Sequence, residues 1–294
     1  MWTTLLSLAS AQPYAQVLGT AQDAGLPQAG CEKSCCEAAW QGAGSRVASL
    51  ALIDQGKAWL LDATPDLPEQ LHELQTQGLE LAGVLLTHAH IGHYTGLMHL
   101  GREAIGAQRV PVWAMPRMTT FLQGNGPWSQ LVELGNIELR PMAEGQAVQL
   151  SPDLRVTPLR VPHRDEFSET VGFHVEGPER SLLYLPDIDK WERWDTPVED
   201  WLARVDVALV DGTFYDGAEL PGRDMAEIPH PFIAESMQRF ASLPEDQRAK
   251  LRFVHLNHSN PAHRPDSPQH RAIVEAGMAV AQQGEVHPLG ATGD

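Results

Sequence analysis

Segment 87–97, THAHIGHYTGL, places three histidines at positions 88, 90 and 93 directly after the apolar run GVLLT of 83–87. Imidazole nitrogens bind zinc, iron and related ions. A loop leaving a rigid strand end can aim several such rings at one point, so the pattern reads as metal-binding. The competing reading is a histidine-rich surface turn. An ion held by neutral imidazoles brings the pKa of a bound water toward neutrality, which is the chemistry of metal-assisted hydrolysis.

A second group is Cys31, Cys35 and Cys36, the only cysteines of the chain. An odd count within six residues is not a disulfide framework. It reads as three thiolates of a zinc site that takes a fourth ligand from elsewhere, against the alternative of buried or free thiols.

Strands alternating with helices must position these residues. Apolar runs at 49–54 and 57–63, joined by Gln55-Gly56, predict a hairpin. Segment 66–77 has helical spacing through Leu67, Leu71 and Leu74, with Gly78 as its stop. Strands are predicted at 83–87, 110–114, 137–140, 154–161, 170–175, 181–185, 207–210 and 251–256, and helices at 199–204, 231–243 and 268–282. Segments 124–128 and 214–231 read as Gly- and Pro-rich loops. Two such halves stack as two sheets between helical layers, an α/β class four-layer α/β/β/α sandwich. No composition shift marks a boundary, so residues 13–294 are expected to form one domain.

Segment 87–97 resembles the HxHxDH signature of the metallo-β-lactamase superfamily. The resemblance implies that family's sandwich fold, and a distant histidine, an aspartate after a strand and a late histidine. His163 in RVPHRDEF, Asp187 in LPDID and His255 in FVHLNHSNP stand in that order. Carried over, His88, His90 and His163 would hold a first ion. Asp187 would bridge to a second ion, also bound by His93 and His255, and would orient the attacking hydroxide. The departure is Gly92, where the signature has an aspartate. It leaves open a weaker second site, an empty one, a different occupant, or completion by water or by a carboxylate such as Asp62 or Asp165.

Segment 18–36, LGTAQDAGLPQAGCEKSCC, is similar to the N-terminal segment of two relatives within that superfamily. They are the phosphoribosyl cyclic phosphodiesterases and the pyrroloquinoline quinone biosynthesis B proteins. The first resemblance includes the HxxH of His255 and His258, and implies that His258 completes a structural zinc with Cys31, Cys35 and Cys36, although the cysteine spacing differs. It also implies a catalytic role for His230, as general acid or oxyanion contact at a helix start, against a surface capping role. The second resemblance covers nearly the whole chain through VDGTFYDGAEL, the IPH of 228–230 and HLNHSNP. Those B proteins generally lack a full histidine motif, which this chain has.

The expected function is therefore a metal-dependent hydrolase using a metal-bound hydroxide on a small phosphodiester, ester or lactone. Its cofactors would be one or two divalent catalytic ions, zinc first, with manganese and iron also suited, and one structural zinc. Two alternatives stand: an iron- and oxygen-dependent oxidase or hydroxylase, and a non-enzymatic metal-containing carrier. His72, His99, His174, His263, His270 and His287 read as structural or solvated.

The formal charge of −17 disfavours nucleic acid as a partner, whereas a small substrate held by a metal tolerates an acidic shell. No apolar run is long enough to span a bilayer. Residues 1–12 resemble the tail of an export signal without its basic region, which leaves periplasmic and cytoplasmic locations both open. A homo-oligomer is compatible with everything above.

Overall fold

The computed structural model describes residues 12–220, 222, 224 and 227–291. The segment read as an export remnant lies, but for Gln12, outside the described residues. The chain begins with β1 (Tyr14–Gly19), a strand whose apolar run was not predicted. The predicted hairpin follows as β2 (Ser49–Asp54) and β3 (Lys57–Leu61). Gln55 and Gly56 both have positive φ, the backbone that a two-residue hairpin turn requires. Next come β4 (Glu80–Leu85), β5 (Val110–Ala114) and β6 (Ile137–Pro141).

The second half supplies β7 (Val148–Gln149), β8 (Arg155–Arg160), β9 (Val171–Glu176), β10 (Ser181–Leu185), β11 (Val207–Asp211) and β12 (Leu251–Val254). It ends with β13 (Ala279–Val280) and β14 (Val286–Pro288). Among the described residues the strands form two seven-stranded sheets, ordered β14-β1-β2-β3-β4-β5-β6 and β13-β12-β11-β10-β9-β8-β7.

Strand alternation builds the layers. Leu50 and Leu52 of β2 meet Phe173, Val175, Leu182 and Tyr184 in a core between the sheets. Their neighbours Ala51 and Ile53 face outward, against Leu67, Leu71 and Leu74 of the helix Leu67–Thr76. On the far side Leu183 and Leu185 pack with Phe240 of the helix Ile233–Phe240 and Ile273 of the helix Pro268–Glu275. The four-layer sandwich expected from the sequence is what forms.

One expectation is corrected, and two helices were not predicted. The helix predicted over 268–282 ends at Glu275, because Gly277 takes a φ of 80° and turns the chain into the edge strand β13. Residues 116–133 hold two helices, Pro116–Gly124 and Trp128–Glu133, on either side of the stretch read as a loop.

Strand polarity decides where the chemistry can sit. β1 and β3 are both antiparallel to β2, and β4 is parallel to β3, so these three strands point the same way. In the other sheet β8 and β10 are both antiparallel to β9, and β11 and β12 run parallel to β10. The loops after their C-terminal ends carry Asp23, Asp62, His88, His163, Asp187 and His255, and Asp211 is the last residue of β11. Loops beyond the carboxyl ends of strands are a general location for ligand sites in α/β proteins.

Candidate metal centre

Two donor sets meet at Asp187. In the first, Asp187 Oδ2 lies 3.3 Å from His88 Nε2 and 3.2 Å from His163 Nε2. His90 Nδ1 is 2.8 Å from His88 Nε2 and 3.3 Å from His163 Nε2. Four ligands about 2.0–2.2 Å from one ion stand about 3.3–3.6 Å apart at the corners of a tetrahedron, so three of these four separations are near ligand edges. The set comprises His88, His90, His163 and Asp187, as the sequence implied.

The second set faces the same carboxylate oxygen. His93 Nε2 is 3.8 Å and His255 Nε2 4.0 Å from Asp187 Oδ2. Both rings are fully buried, and neither Nε2 has a hydrogen-bond partner. Asp187 Oδ1 and Asp23 Oδ1 are likewise buried without one. An unsatisfied buried polar atom costs about 1–3 kcal/mol, and three of them, on Asp23, His93 and His255, lie within mutual ligating reach, the signature of a cation cradle. The residues present thus fit the divalent ions that the histidine pattern called for.

Each imidazole is oriented from behind. Thr87 Oγ1 lies 3.0 Å from His88 Nδ1, and Glu166 Oε2 2.9 Å from His90 Nε2. Asp62 Oδ2 is 2.7 Å from His93 Nδ1, Asp189 Oδ1 3.2 Å from His163 Nδ1, and Thr213 Oγ1 3.1 Å from His255 Nδ1. Such partners choose which nitrogen is left for an ion and hold its direction. Asp62 also accepts from Thr87 N and Oγ1. Asp62 and His255 both adopt positive φ, 71° and 64°. Non-glycine backbone in that region stores about 1–3 kcal/mol and concentrates at functional sites.

The electrostatics follow from packing charges without water. Burial opposes ionisation of Asp187, yet His163, His230 and His255 together hold its carboxyl well below the usual range. Burial pulls His93 and His163 down, but the carboxylates around them prevail. Asp62 leads in holding His93 at about 9, and Asp187 leads in holding His163 at about 10. His88 and His255, with less compensation for burial, are pushed below the ordinary histidine value.

His230 is not a surface residue. Its Nδ1 lies 2.8 Å from Asp211 Oδ2 and 3.2 Å from Asp187 Oδ1, and the side chain is 7% exposed. The helix beyond it begins only at Ile233, so His230 does not open its first turn, and the Phe232 N–H donates to Glu235 Oε2. Asp211 was not singled out from the sequence, since an aspartate ending an apolar run looks like any turn residue. It accepts from Thr213 N at 2.8 Å and Ile188 N at 3.1 Å, which fixes its carboxylate beneath His230.

Neither carboxylate considered as a substitute at Gly92 occupies that place. Asp62 stands behind His93, and Asp165 bonds Thr170 Oγ1 and Arg160 away from the donor sets.

The thiols of Cys31, Cys35 and Cys36 converge, with their sulfurs in mutual ligating reach. Burial pushes the Cys36 thiol up to about 11. His258 does not belong to that trio. It lines the same cavity as Cys35, about 730 Å³ in volume, with its Nδ1 3.1 Å from Asn257 Oδ1. Of the four residues expected in the structural site, the three cysteines cluster and His258 stands outside the cluster.

Comparison with known proteins agrees with this picture. The coenzyme PQQ synthesis protein B of Klebsiella pneumoniae is 29% identical over 307 residues, covering 92% of this chain and 96% of that protein. The protein of the same name from Pseudomonas fluorescens strain Pf0-1 is 28% identical over 310 residues, covering 92% and 98%. Among solved structures, the zinc-bound PqqB of Methylobacterium extorquens superposes with a TM-score of 0.77 at 23% identity, covering 93% of this chain and 99% of that one. A diphosphatase of the PhnP family gives a TM-score of 0.68 at 20% identity, covering 94% and 97%. These likenesses identify the sandwich as the metallo-β-lactamase fold. The family model described as "Beta-lactamase superfamily domain" matches residues 58–265, the stretch that carries every histidine of the centre, and the chain belongs to that superfamily.

Proposed function

We propose that this chain is a metal-dependent hydrolase of a small phosphodiester, ester or lactone. The observation that carries the reading is the convergence of two donor sets on Asp187, with buried donor atoms left unpaired by the protein. His88, His90, His163 and Asp187 would hold one ion, and His93, His255 and Asp187 a neighbouring one. When bound, such ions supply Lewis acidity and a water that ionises near neutral pH.

The protein's own groups do the rest. Asp187 stays ionised and presents one oxygen to both sets, so it can orient the attacking water as well as ligate. Asp211 Oδ2 takes up His230 Nδ1 at 2.8 Å, so any proton traded with a substrate passes through Nε2. Against burial, Asp211 and Asp187 hold the His230 pKa above its ordinary value, which suits a proton donor to a leaving oxygen. Glu166 is half-exposed beside His90, and Phe167, next to it in the chain, is exposed. A diphosphatase of the PhnP family stands among the structural neighbours of the same fold.

The test is turnover with metal counted on the same preparation. Protein loaded with zinc, manganese or iron is offered aryl phosphodiesters, aryl esters and lactones, while oxygen is followed with an electrode. Hydrolysis that tracks metal content is expected. Iron loading with oxygen consumption and no hydrolysis, or full loading with no turnover of any panel member, overturns the reading.

A further inference from the structure

We propose that Asp23, carried by the loop after β1, supplies the carboxylate that the HxHxDH signature places at the position of Gly92. His93, His255, Asp187 and Asp23 then make a complete second cation site from four separate parts of the chain.

The first argument is spatial. A β-carbon built on Gly92 would lie 2.5 Å from Asp23 Cα and 2.5 Å from Asp23 Oδ1. The place where a carboxylate at 92 would start is already filled by the carboxylate of Asp23. Residue 92 is glycine because Asp23 is there.

The second argument is the direction of the donors. Asp23 Oδ1 lies 3.6 Å from His93 Nε2, and Asp23, His93 and His255 each offer one atom to a common cluster. All three of those atoms are buried without a hydrogen-bond partner. Had Asp23 been a counter-charge to His93 alone, the paired atoms would be expected at hydrogen-bonding distance, as Asp62 is at 2.7 Å on the other side of the ring.

The third argument is anchoring. Gln22 N donates to Leu256 O at 2.8 Å, and Leu256 N donates to Thr20 O at 2.8 Å. Ala21 bridges Val47 of one sheet's side and Leu256 of the other. The backbone beside Asp23 is thus bonded to the residue next to His255, which fixes two donors relative to each other. Two imidazoles with two carboxylates suit zinc, manganese or iron. A motif search on 87–97 alone would assign this chain one ion; the site assigns it two.

The proposal rests on the metal-centre reading, but its test counts ions and needs no turnover. The full chain is stripped with a chelator, reloaded with zinc and assayed by atomic emission, with affinities taken from competition against a chromophoric chelator. Asp23→Asn keeps the size of the side chain, and Asp23→Ala removes it. Both should lose one equivalent, or bind it at least about tenfold more weakly, with the remaining equivalents and the far-ultraviolet circular dichroism unchanged. Gly92→Asp should add no ion. If both Asp23 variants keep the parent's count and affinities, or the parent never loads the ion that His93→Ala would remove, the proposal is wrong. If His163→Ala also leaves the count untouched, the metal-centre reading itself falls.

Discussion

At the residue scale, the chemistry depends on which nitrogen of each imidazole is free. Asp62, Asp189, Glu166, Thr87 and Thr213 settle that choice for the five histidines of the centre. His230 differs in that its Nδ1 faces two carboxylates. His230→Gln keeps a donor toward Asp211 but removes the proton exchange. It should lower kcat by about 10²–10⁴-fold while metal content stays at the parent value. An equal loss of metal and activity would show that His230 serves the ions instead. The six histidine and aspartate residues of the two donor sets were legible because their types and order are specific. Asp23 and Asp211 were not read as site residues, since nothing in their order along the chain sets them apart from turn aspartates, and Asp62 was named only as a stand-in for the carboxylate missing at Gly92. The relation between Asp23 and Gly92 is purely spatial, with 68 intervening positions of no local signal.

At the element scale, the centre depends on short loops held at strand ends. The turn bearing His93 is fastened to the segment after β3, where Ala63 N donates to His93 O and Gly96 N to Ala63 O. A β-carbon at Gly96 would collide with the Thr64 and Ala63 carbonyl oxygens. Gly96→Ala should therefore destabilise the fold by about 1–3 kcal/mol and push His93 away from Asp62. Denaturant midpoints and zinc affinity measured together check this; an unchanged midpoint would contradict it. The strands were largely legible because buried strands are continuous apolar runs, as in 181–185. The overrun helix at 268–282 was not, because apolar spacing continues past Gly277 while the backbone does not. β1 was missed because YAQVLG interleaves polar Gln16, which is buried against Glu73.

At the scale of the whole molecule, each sheet brings both histidines and carboxylates into one buried centre. Without metal, protonated histidines and ionised carboxylates must balance each other there. His93 and His163, whose values are raised to about 9 and about 10, contribute stability below about pH 6.5 that is lost as pH rises through those values. His88 and His255, whose values are lowered, remove stability as pH falls below about 6.5, and Asp187 adds a further loss once pH falls through its unfolded value. The metal-free protein should therefore be most stable near about pH 6.5 and lose melting temperature on both sides. Thermal melts of chelator-treated protein from pH 4 to about 10 read this directly; a melting temperature that climbs steadily to pH 10 would contradict it. Bound ions replace the protons on the ligating nitrogens, so the fall on the alkaline side should shrink on loading.

The central claim is that imidazoles from both sheets share cations across Asp187. Anomalous diffraction from crystals of the loaded protein, recorded across the zinc, manganese and iron edges, tests it most directly. The account predicts one peak among His88 Nε2, His90 Nδ1 and His163 Nε2, and a second between His93 Nε2 and His255 Nε2 on the Asp23 side. A map with no peak at either position after metal soaking would contradict it.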